Sequence, residues 1–414
     1  MGDAFDKTLS LNDAVRLSGP ASFNIMLKPA GSSCNLNCKY CYYLDKAEIY
    51  GGREPVMSER MLESVVREYI DANDVPEVTF NWHGGEPLLL GLDFYRKALA
   101  FEQKYSNGKK INNTIQTNGV LIDRAWAEFF REHRFLVGVS IDGPREVHDR
   151  YRKDKGGLPT FDRVLRGLEL LRACGVEFNT MSTINKASEG KGLEVYRFLK
   201  AAGTRYMQFM PVVEHVRDGR IVDPSEPGAQ IAPWSISDIA FGRFLCDIFD
   251  EWVRQDVSRV FVGHFDAALA CWCGVSPGIC VFSETCGGNS IIEHNGDLYP
   301  CDHFVYPKYR LGNIEERSIR EMMSSDAQVR FGIDKRNTLS SACRKCKWLF
   351  ACHGECPKHR FNRTERGETG LNALCDGYKL FFSHISPYMD YMKGLLLQGL
   401  SPAGVIPWAR NWAL

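Results

Sequence analysis

The stretch Cys34-Asn35-Leu36-Asn37-Cys38-Lys39-Tyr40-Cys41 decides how the rest of the chain is interpreted. Its three cysteines have the spacing CxxxCxxC, with an aromatic residue directly before the last one. Three thiolates this close together can ligate three irons of a 4Fe-4S cluster and leave the fourth iron without a protein ligand. The alternative is a zinc site or three buried thiols, but structural zinc takes four ligands and no fourth cysteine or histidine lies nearby. The stretch therefore predicts a cluster whose open iron binds a small molecule.

Composition and charge limit the class of protein. The chain has 414 residues, enough for one large domain and a smaller one. Lys+Arg and Asp+Glu are equal at 51 each, so charge gives no case for nucleic acid or an anionic membrane as the main partner. No apolar run reaches the roughly 18 residues of a membrane span, and the polar start at 1–20 lacks the apolar core of a secretory signal. Fifteen cysteines without an export signal favour metal ligation over disulfides, so we expect a cytoplasmic protein.

Most of the remaining cysteines form an ordered series in the last third of the chain. They are Cys280, Cys286, Cys301, Cys343, Cys346, Cys352, Cys356 and Cys375. Eight thiolates can complete two 4Fe-4S clusters with no open iron, although two structural zinc sites stay open as an alternative because CxxC also suits zinc. Asp302 follows Cys301 directly, and a carboxylate held beside a cluster can act as a general base or simply cap a loop.

Between residues 23 and 210, short apolar runs alternate with longer amphipathic segments. The pattern predicts strands at 23–28, 78–82, 113–116, 136–141, 178–184 and 206–210, with helices at 58–71, 93–105, 123–132, 161–173 and 190–201. Such alternation predicts an α/β fold in which parallel strands curl into a partial barrel with right-handed crossovers. Reactive groups in such barrels collect at the C-terminal ends of the strands, and the cysteine stretch directly follows the first strand.

The second half of the chain is less regular. Residues 212–234 are rich in proline, glycine and charge and are interpreted as a loop, and a helix is predicted at 236–255. From about residue 274 glycines, turns and cysteines dominate, so we expect metal clusters to supply the cross-links that a small apolar core cannot. A final helix is predicted at 377–397.

Three polar segments follow the second, third and fourth predicted strands. Gly84-Gly85-Glu86-Pro87 combines glycines that allow close approach of a ligand with an acidic group that can accept from an ammonium; the alternative is a plain turn. Gln116-Thr117-Asn118-Gly119 and Ser140-Ile141-Asp142-Gly143-Pro144 place small polar groups where a ribose or a carboxylate can be held, or form ordinary turns. Arg152 can pair with a carboxylate.

Together these motifs resemble the anaerobic sulfatase-maturating enzymes, which are radical S-adenosylmethionine (SAM) enzymes with a C-terminal SPASM domain. The resemblance spans residues 23–389 and is carried by the cysteines and by segments 82–86, 116–119, 137–144, 299–304 and 311–314. It implies an N-terminal extension (1–22), a partial (β/α)6 TIM-type barrel (23–235), a connecting helical segment (236–273), a SPASM domain with two auxiliary clusters (274–378), and a C-terminal helix and tail (379–414). These enzymes convert a cysteine or serine of a sulfatase to Cα-formylglycine without oxygen.

The resemblance also implies the cofactors, SAM and three 4Fe-4S clusters, and the residues that hold them. The SAM cluster is assigned to Cys34, Cys38 and Cys41, and the SAM site to Tyr40, Gly85, Ser140, Arg152 and Val213. The first auxiliary cluster is assigned to Cys280, Cys286, Cys301 and Cys356, and the second to Cys343, Cys346, Cys352 and Cys375. Asp302 corresponds to the proton acceptor, and Tyr43 and His83 lie where the family contacts the substrate peptide.

The implied reaction begins when a 5′-deoxyadenosyl radical removes a Cβ hydrogen from the target residue. Asp302 takes the thiol or hydroxyl proton, and the remaining electron leaves through an auxiliary cluster. The expected partners are a sulfatase polypeptide with an unfolded or nascent loop and an electron donor such as a flavodoxin or ferredoxin. Two alternatives stay open: another SPASM peptide modifier that forms a thioether or crosslink, and a zinc-dependent binding or scaffold protein.

Overall fold

The computed structural model of the chain describes residues 22–51, 56–224 and 226–411. The expectations for the first 20 residues, and nearly all of the predicted N-terminal extension, lie outside these ranges. In the described residues, no helix combines the length and apolar character needed to cross a membrane.

Six parallel strands and the helices between them form a partial barrel. The strands are β1 (Asn24–Lys28), β2 (Glu77–Trp82), β3 (Lys110–Thr117), β4 (Leu136–Ser140), β5 (Phe178–Ile184) and β6 (Tyr206–Pro211). The helices are α1 (Glu59–Ala72), α2 (Gly91–Tyr105), α3 (Arg124–Glu132), α4 (Arg145–Tyr151), α5 (Phe161–Ala173) and α6 (Gly192–Ala201). Each strand pairs with the next in parallel, which confirms the predicted α/β barrel class.

The boundaries of several helices and strands are set by local interactions, some of which the sequence indicates. Ser58 and Asp123 are N-caps, because their side chains accept hydrogen bonds from the backbone N–H groups of Met61 (3.2 Å) and Trp126 (2.9 Å). The helices that they cap therefore begin one residue later than predicted. β3 begins three residues earlier than predicted because Lys110 pairs with Glu77 at the start of β2.

The segment interpreted as a loop at 212–234 contains a small antiparallel sheet, so that interpretation is wrong. Its strands are β7 (His215–Arg217), β8 (Arg220–Val222) and β9 (Gln230–Ile231). Asp218 and Gly219 join the first two strands with φ angles of 52° and 81°, the positive values that a tight hairpin turn requires. The Asp-Gly dipeptide was the available signal, and we call residues 212–234 the hairpin insert.

The barrel sheet continues at both edges into the second half of the chain. The added elements are α7 (Asp238–Gln255), β10 (Phe261–Val262), α8 (Gly263–Trp272), β11 (Asn289–Glu293), β12 (Asp297–Tyr299) and β13 (Gly312–Asn313). β10 pairs with β6, and β11 pairs in parallel with all five residues of β1 before β12 and β13 extend the sheet, which has ten strands. The cysteine-rich half is therefore joined to the barrel by continuous hydrogen bonding.

The rest of the cysteine-rich half consists of short elements and one long helix. They are α9 (Ile319–Met323), α10 (Asp326–Asn337), α11 (Ser341–Arg344), α12 (Leu349–Cys352), β14 (Asn362–Arg363), β15 (Thr369–Leu371), α13 (Cys375–Leu397) and α14 (Val405–Asn411). α13 crosses α7 where two glycines meet, since a β-carbon at Gly242 would lie 2.7 Å from the Cα of Gly377. This close crossing fixes the start of α13, and with it Cys375, against the barrel.

Candidate functional site

The loop that carries Cys34, Cys38 and Cys41 lies at the C-terminal end of β1. Backbone hydrogen bonds from Asn37 to Lys153 (2.8 Å) and from Lys39 to Tyr151 (3.1 Å) hold it against the segment after α4. Burial, followed by Glu86 and Cys41, raises the pKa of Cys34 to about 12. Burial, followed by Cys41 and Cys34, raises the pKa of Cys38 to about 12. The three cysteines thus face one another in a shielded place, where a metal cluster is what stabilises thiolates.

The cysteines of the second series form two groups that interleave along the chain. Burial, and after it Asp302 and Cys356, raise the pKa of Cys301. Burial, and after it Glu355, Cys286 and Cys280, raise the pKa of Cys356, so these four cysteines lie close together. The second group, Cys343, Cys346, Cys352 and Cys375, lines one cavity under α13. The structure thus brings together the two sets of four that the family resemblance implies.

The spread of these thiols bears on the zinc alternative. Within the described ranges, no three cysteine, histidine, aspartate or glutamate side chains converge on a site for one metal ion. Tetrahedral zinc holds every ligand about 2.3 Å from one ion, whereas a 4Fe-4S cube binds each thiolate through a different iron. Three and four cysteines are the numbers that a 4Fe-4S cluster takes with and without an open iron.

Gly85 lies where the loop after β2 packs directly on the cysteine loop. A β-carbon there would overlap the backbone carbonyl of Ser33, lying 2.6 Å from its carbon. The backbone N–H groups of Gly85 and Glu86 donate to the carbonyl oxygens of Gly31 and Ser33, both at 2.7 Å. Gly85 therefore positions Cys34 by letting two backbones touch.

Glu86 does not present its carboxylate to a ligand, contrary to the sequence expectation. It is fully buried, and its oxygens accept from the N–H groups of Leu88 (3.0 Å) and Asn118 (2.8 Å) and from the hydroxyl of Thr117 (2.7 Å). Burial raises its pKa to about 7 despite these donors. Glu86 therefore ties the tip of β2 to the tip of β3.

The tips of β3 and β4 bring two further polar groups to the cysteine loop. Asn118 donates to Asn35 Oδ1 at 2.7 Å and lies 3.7 Å from the sulfur of Cys34. Ser140 accepts from the side chain of Gln116 at 3.0 Å, which leaves its own hydroxyl hydrogen available to a ligand. Gln116 occupies the space above Gly138, where a β-carbon would lie 2.9 Å from its amide carbon.

Tyr40 and Arg152 meet at the buried carboxylate of Asp142. Tyr40 donates its hydroxyl to Asp142 Oδ2 at 2.5 Å, and Arg152 Nε donates to Oδ1 at 3.0 Å. Arg152 also opposes the rise in the pKa of Cys38, so its guanidinium lies beside the cysteine loop. Both predicted SAM-site residues thus brace the loop through one carboxylate.

Val213 lies at the start of the hairpin insert with its side chain buried in the main apolar core. Its backbone N–H and C=O have no hydrogen-bond partner among the described residues. A ligand would therefore meet the backbone of Val213 and not its side chain.

Asp302 is the centre of a buried polar cluster between the barrel and the cysteine-rich half. Its Oδ2 accepts from the hydroxyl of Tyr42 at 2.5 Å and lies 3.6 Å from the ammonium of Lys28. Burial alone would raise the pKa of Asp302, but the ammonium of Lys28, with the hydrogen bond from Tyr42, holds it below its usual range. Asp302 is therefore a carboxylate that adjoins Cys301 on one side and, through Tyr42, Cys41 on the other.

Tyr43 and His83, the predicted peptide contacts, also belong to this cluster. Tyr43 is buried under the Lys28 ammonium and donates its hydroxyl to Glu293, so the structure does not present its side chain to a peptide. His83 accepts from the N–H of Gly84 at 2.9 Å, and burial followed by Lys28 lowers its pKa to about 4. His83 is therefore a neutral imidazole near Asp302.

The structure adds Lys28 and Tyr42 to the residues that the sequence singled out. Lys28 ends a strand that is otherwise apolar apart from Asn24, and an inward lysine in such a strand was the available signal. Tyr42 follows Cys41 directly but reaches a carboxylate 260 positions away, which no local pattern indicates.

Comparison with known families agrees with this geometry. Residues 29–199 match the model of the Radical SAM superfamily, and residues 280–347 match that of SPASM, an iron-sulfur cluster-binding domain. The fold and site therefore define a radical SAM oxidoreductase with an iron–sulfur domain after its partial barrel.

Individual relatives identify the family within the radical SAM superfamily. The serine-type anaerobic sulfatase-maturating enzyme of Bacteroides thetaiotaomicron is 47% identical over 94% of this chain and 96% of the relative. The cysteine-type enzyme of Clostridium novyi is 34% identical over 91% of this chain and 98% of the relative. The solved structure of native anSMEcpe with bound AdoMet superposes with a TM-score of 0.80 at 32% identity, covering 90% of this chain and all of that one. The chain belongs to the anaerobic sulfatase-maturating enzymes.

Proposed function

We propose that the enzyme oxidises a serine or cysteine of a sulfatase active-site peptide to Cα-formylglycine without oxygen. The observation that supports this most is the hydrogen bond between Tyr42 and Asp302. It joins the loop of Cys41 to the loop of Cys301, so that one buried carboxylate lies between the open cluster and an auxiliary cluster.

The cofactor sites follow the two groups of four cysteines and the group of three. Cys34, Cys38 and Cys41 hold the cluster with the open iron, and the SAM that binds it contacts Tyr40, Gly85, Ser140, Arg152 and Val213. When bound, SAM and the clusters supply a radical that removes one Cβ hydrogen atom and an acceptor for the remaining electron.

The protein's own part in the reaction is to bind the peptide, move one proton and exclude water. Asp302 accepts the hydroxyl or thiol proton as the Cβ carbon loses its hydrogen. Serine then becomes the aldehyde directly, whereas cysteine becomes a thioaldehyde that hydrolyses with release of sulfide. Burial of Lys28 and Asp302 keeps bulk water away from this step.

Serine is proposed as the better substrate. The serine-type relative is 47% identical to this chain, against 34% for the cysteine-type relative. The sulfatase is bound as an extended peptide, and a flavodoxin or ferredoxin is proposed as the electron donor. The clustered thiols need a reducing compartment, which supports the cytoplasm as the place of action.

The test is an anaerobic assay of the reconstituted enzyme with matched sulfatase-loop peptides that carry serine or cysteine at the target position. Mass spectrometry should show the aldehyde on the serine peptide, together with 5′-deoxyadenosine. A mass that instead reports a thioether or crosslink would assign the enzyme to another SPASM function. Neither product on either peptide, with deoxyadenosine formed, would contradict the sulfatase substrate.

Asp302→Asn tests the role of the carboxylate. Because an amide cannot accept the proton, aldehyde formation should fall at least a hundredfold, the scale of a lost general base, while deoxyadenosine still forms. Asp93→Asn, on the exposed face of α2 with its side chain 89% exposed, is the matched control and should behave as wild type. Unchanged aldehyde output from Asp302→Asn would remove it from this role.

A further inference from the structure

Lys28 is a buried charge that stability does not explain. Its side chain is 1% exposed at the end of β1, between β2 and β11. Its ammonium lies 3.6 Å from Asp302 Oδ2 and 3.4 Å from the ring centre of Tyr43, and no other carboxylate lies within 4.0 Å among the described residues. A buried ion pair of this length offsets little of the cost of removing both charges from water. An apolar side chain would stabilise β1 more than the lysine does, so the lysine has a role other than stability.

The two oxygens of Asp302 have different surroundings. Oδ2 accepts the Tyr42 hydroxyl and faces Lys28. Among the described residues, Oδ1 has one hydrogen-bonding contact, with the sulfur of Cys301 at 4.0 Å, and a cluster-bound thiolate carries no hydrogen to donate. The χ2 torsion of a free aspartate is broad and roughly two-fold, so contacts to one oxygen fix the plane of the carboxylate and the direction in which the other oxygen points.

We propose that Lys28 is a positioning residue which, together with Tyr42, anchors Asp302 Oδ2 and leaves Oδ1 as the oxygen that takes the substrate proton. The inference rests on the proposed function and deepens it. The substrate O–H or S–H bond breaks, its electron pair stays on the oxygen or sulfur, and the proton binds Oδ1. Lys28 exchanges no proton with the substrate.

A double-mutant cycle of Lys28→Met and Asp302→Asn tests this proposal through product ratios. In Lys28→Met, aldehyde formed per deoxyadenosine should fall at least tenfold, because the carboxylate loses its fixed orientation. Adding Lys28→Met to Asp302→Asn should cause no further fall, since the lysine acts only through the carboxylate. A wild-type ratio in Lys28→Met, or the same fold loss in both backgrounds, would overturn the proposal.

A second measurement does not depend on turnover. Lys28→Met leaves the buried carboxylate of Asp302 without its ion-pair partner and should lower the melting temperature of the cluster-loaded protein. Adding Asp302→Asn to the same chain should restore most of the lost melting temperature. Additive shifts would show that the two groups are not coupled and would contradict the proposal. Lys97→Met is the matched control, because Lys97 is exposed and pairs with Glu59 at the surface; it should change neither the product ratio nor the coupling.

Tyr42→Phe keeps the test possible if Lys28→Met does not fold. It removes one hydroxyl and should lower the amount of aldehyde formed per deoxyadenosine about tenfold, as expected for one hydrogen bond to a charged group. An unchanged ratio would count against anchoring of Oδ2. If the wild type forms deoxyadenosine but no aldehyde on any sulfatase peptide, the proposed function fails, and the melting-temperature cycle still decides whether Lys28 and Asp302 are coupled.

Discussion

At the scale of single residues, Gly85 shows that a cofactor-site residue can act through the backbone. The loop after β2 contacts the cysteine loop so closely that a β-carbon at Gly85 would lie 2.6 Å from the carbonyl carbon of Ser33. Two backbone hydrogen bonds across the same contact hold the loops together. The glycine is therefore required at the contact with Ser33, the residue before Cys34, where any movement shifts a proposed cluster ligand.

Gly85→Ala should separate the two loops and displace Cys34. Overpacking of this kind typically costs about 1–3 kcal/mol, and we expect most of the deoxyadenosine-forming activity to be lost, with less iron bound after reconstitution. Gly394→Ala is the control, because a β-carbon in that helix position meets nothing within 4 Å. Wild-type iron content and activity in Gly85→Ala would show that the contact is not needed.

Residues differ in how far the sequence reveals them. The eleven proposed cluster cysteines were recognisable because their spacing is local and repeats, and Asp302 because it adjoins Cys301. Lys28 and Tyr42 were not, because their partner Asp302 lies more than 250 positions away and only the packed sheet brings them together. The role of Glu86 was not foreseen because two of its three donors, Thr117 and Asn118, come from the end of β3, more than 30 positions along the chain.

At the scale of secondary structure, helix α2 carries an acidic group into the apolar core beside β2 and β3. Glu102 is 3% exposed, and one of its oxygens accepts from the side chain of Asn113 at 2.8 Å. Asn113 in turn accepts from the indole N–H of Trp82 at 2.6 Å. The other oxygen of Glu102 has no partner in the described residues, and burial raises the pKa of Glu102 from 4.5 to about 8.

Glu102 should make the wild type less stable as pH rises from about 4.5 to about 8. In this window the folded protein holds a proton that the unfolded chain has released, so raising the pH favours unfolding by about 1.4 kcal/mol per pH unit. Glu102→Gln leaves no titrating group at this position. The melting temperature of the variant minus that of the wild type should therefore increase between pH 6 and pH 8.

Glu128→Gln is the control for this pH dependence. It removes a carboxylate from the exposed side of α3, where the solvent screens the charge. Its melting temperature relative to wild type should stay constant over the same pH range. A constant difference for Glu102→Gln as well would contradict the buried carboxyl group.

Among the secondary-structure elements, the predictions were right for strands and helices whose apolar residues recur with the period of that structure. All six barrel strands and five of the six barrel helices were found, and β5 and α5 have the predicted bounds. α4 was missed because its seven residues are mostly polar. The hairpin insert was misread because its strands are two or three residues long and depend on one Asp-Gly turn.

At the scale of the whole molecule, one sheet connects the two halves that composition separated at residue 274. β11 adds to β1 through five residue pairs, and the strand that ends at Lys28 thereby lies beside the one that ends at Glu293. This pairing places Asp302 against the barrel mouth and explains how one carboxylate adjoins both cluster loops. The boundary at 274 itself stays a prediction, because composition changes there while the sheet does not end.

The central claim is that Cys34, Cys38 and Cys41 hold a cluster whose open iron binds SAM. The direct test is to measure 5′-deoxyadenosine from SAM and a reductant, under anaerobic conditions, in the reconstituted wild type and in Cys34→Ala. We expect steady formation in the wild type and none in the variant, with the other two clusters still present. Deoxyadenosine from Cys34→Ala at the wild-type rate, or none from the wild type with all clusters loaded, would contradict the account.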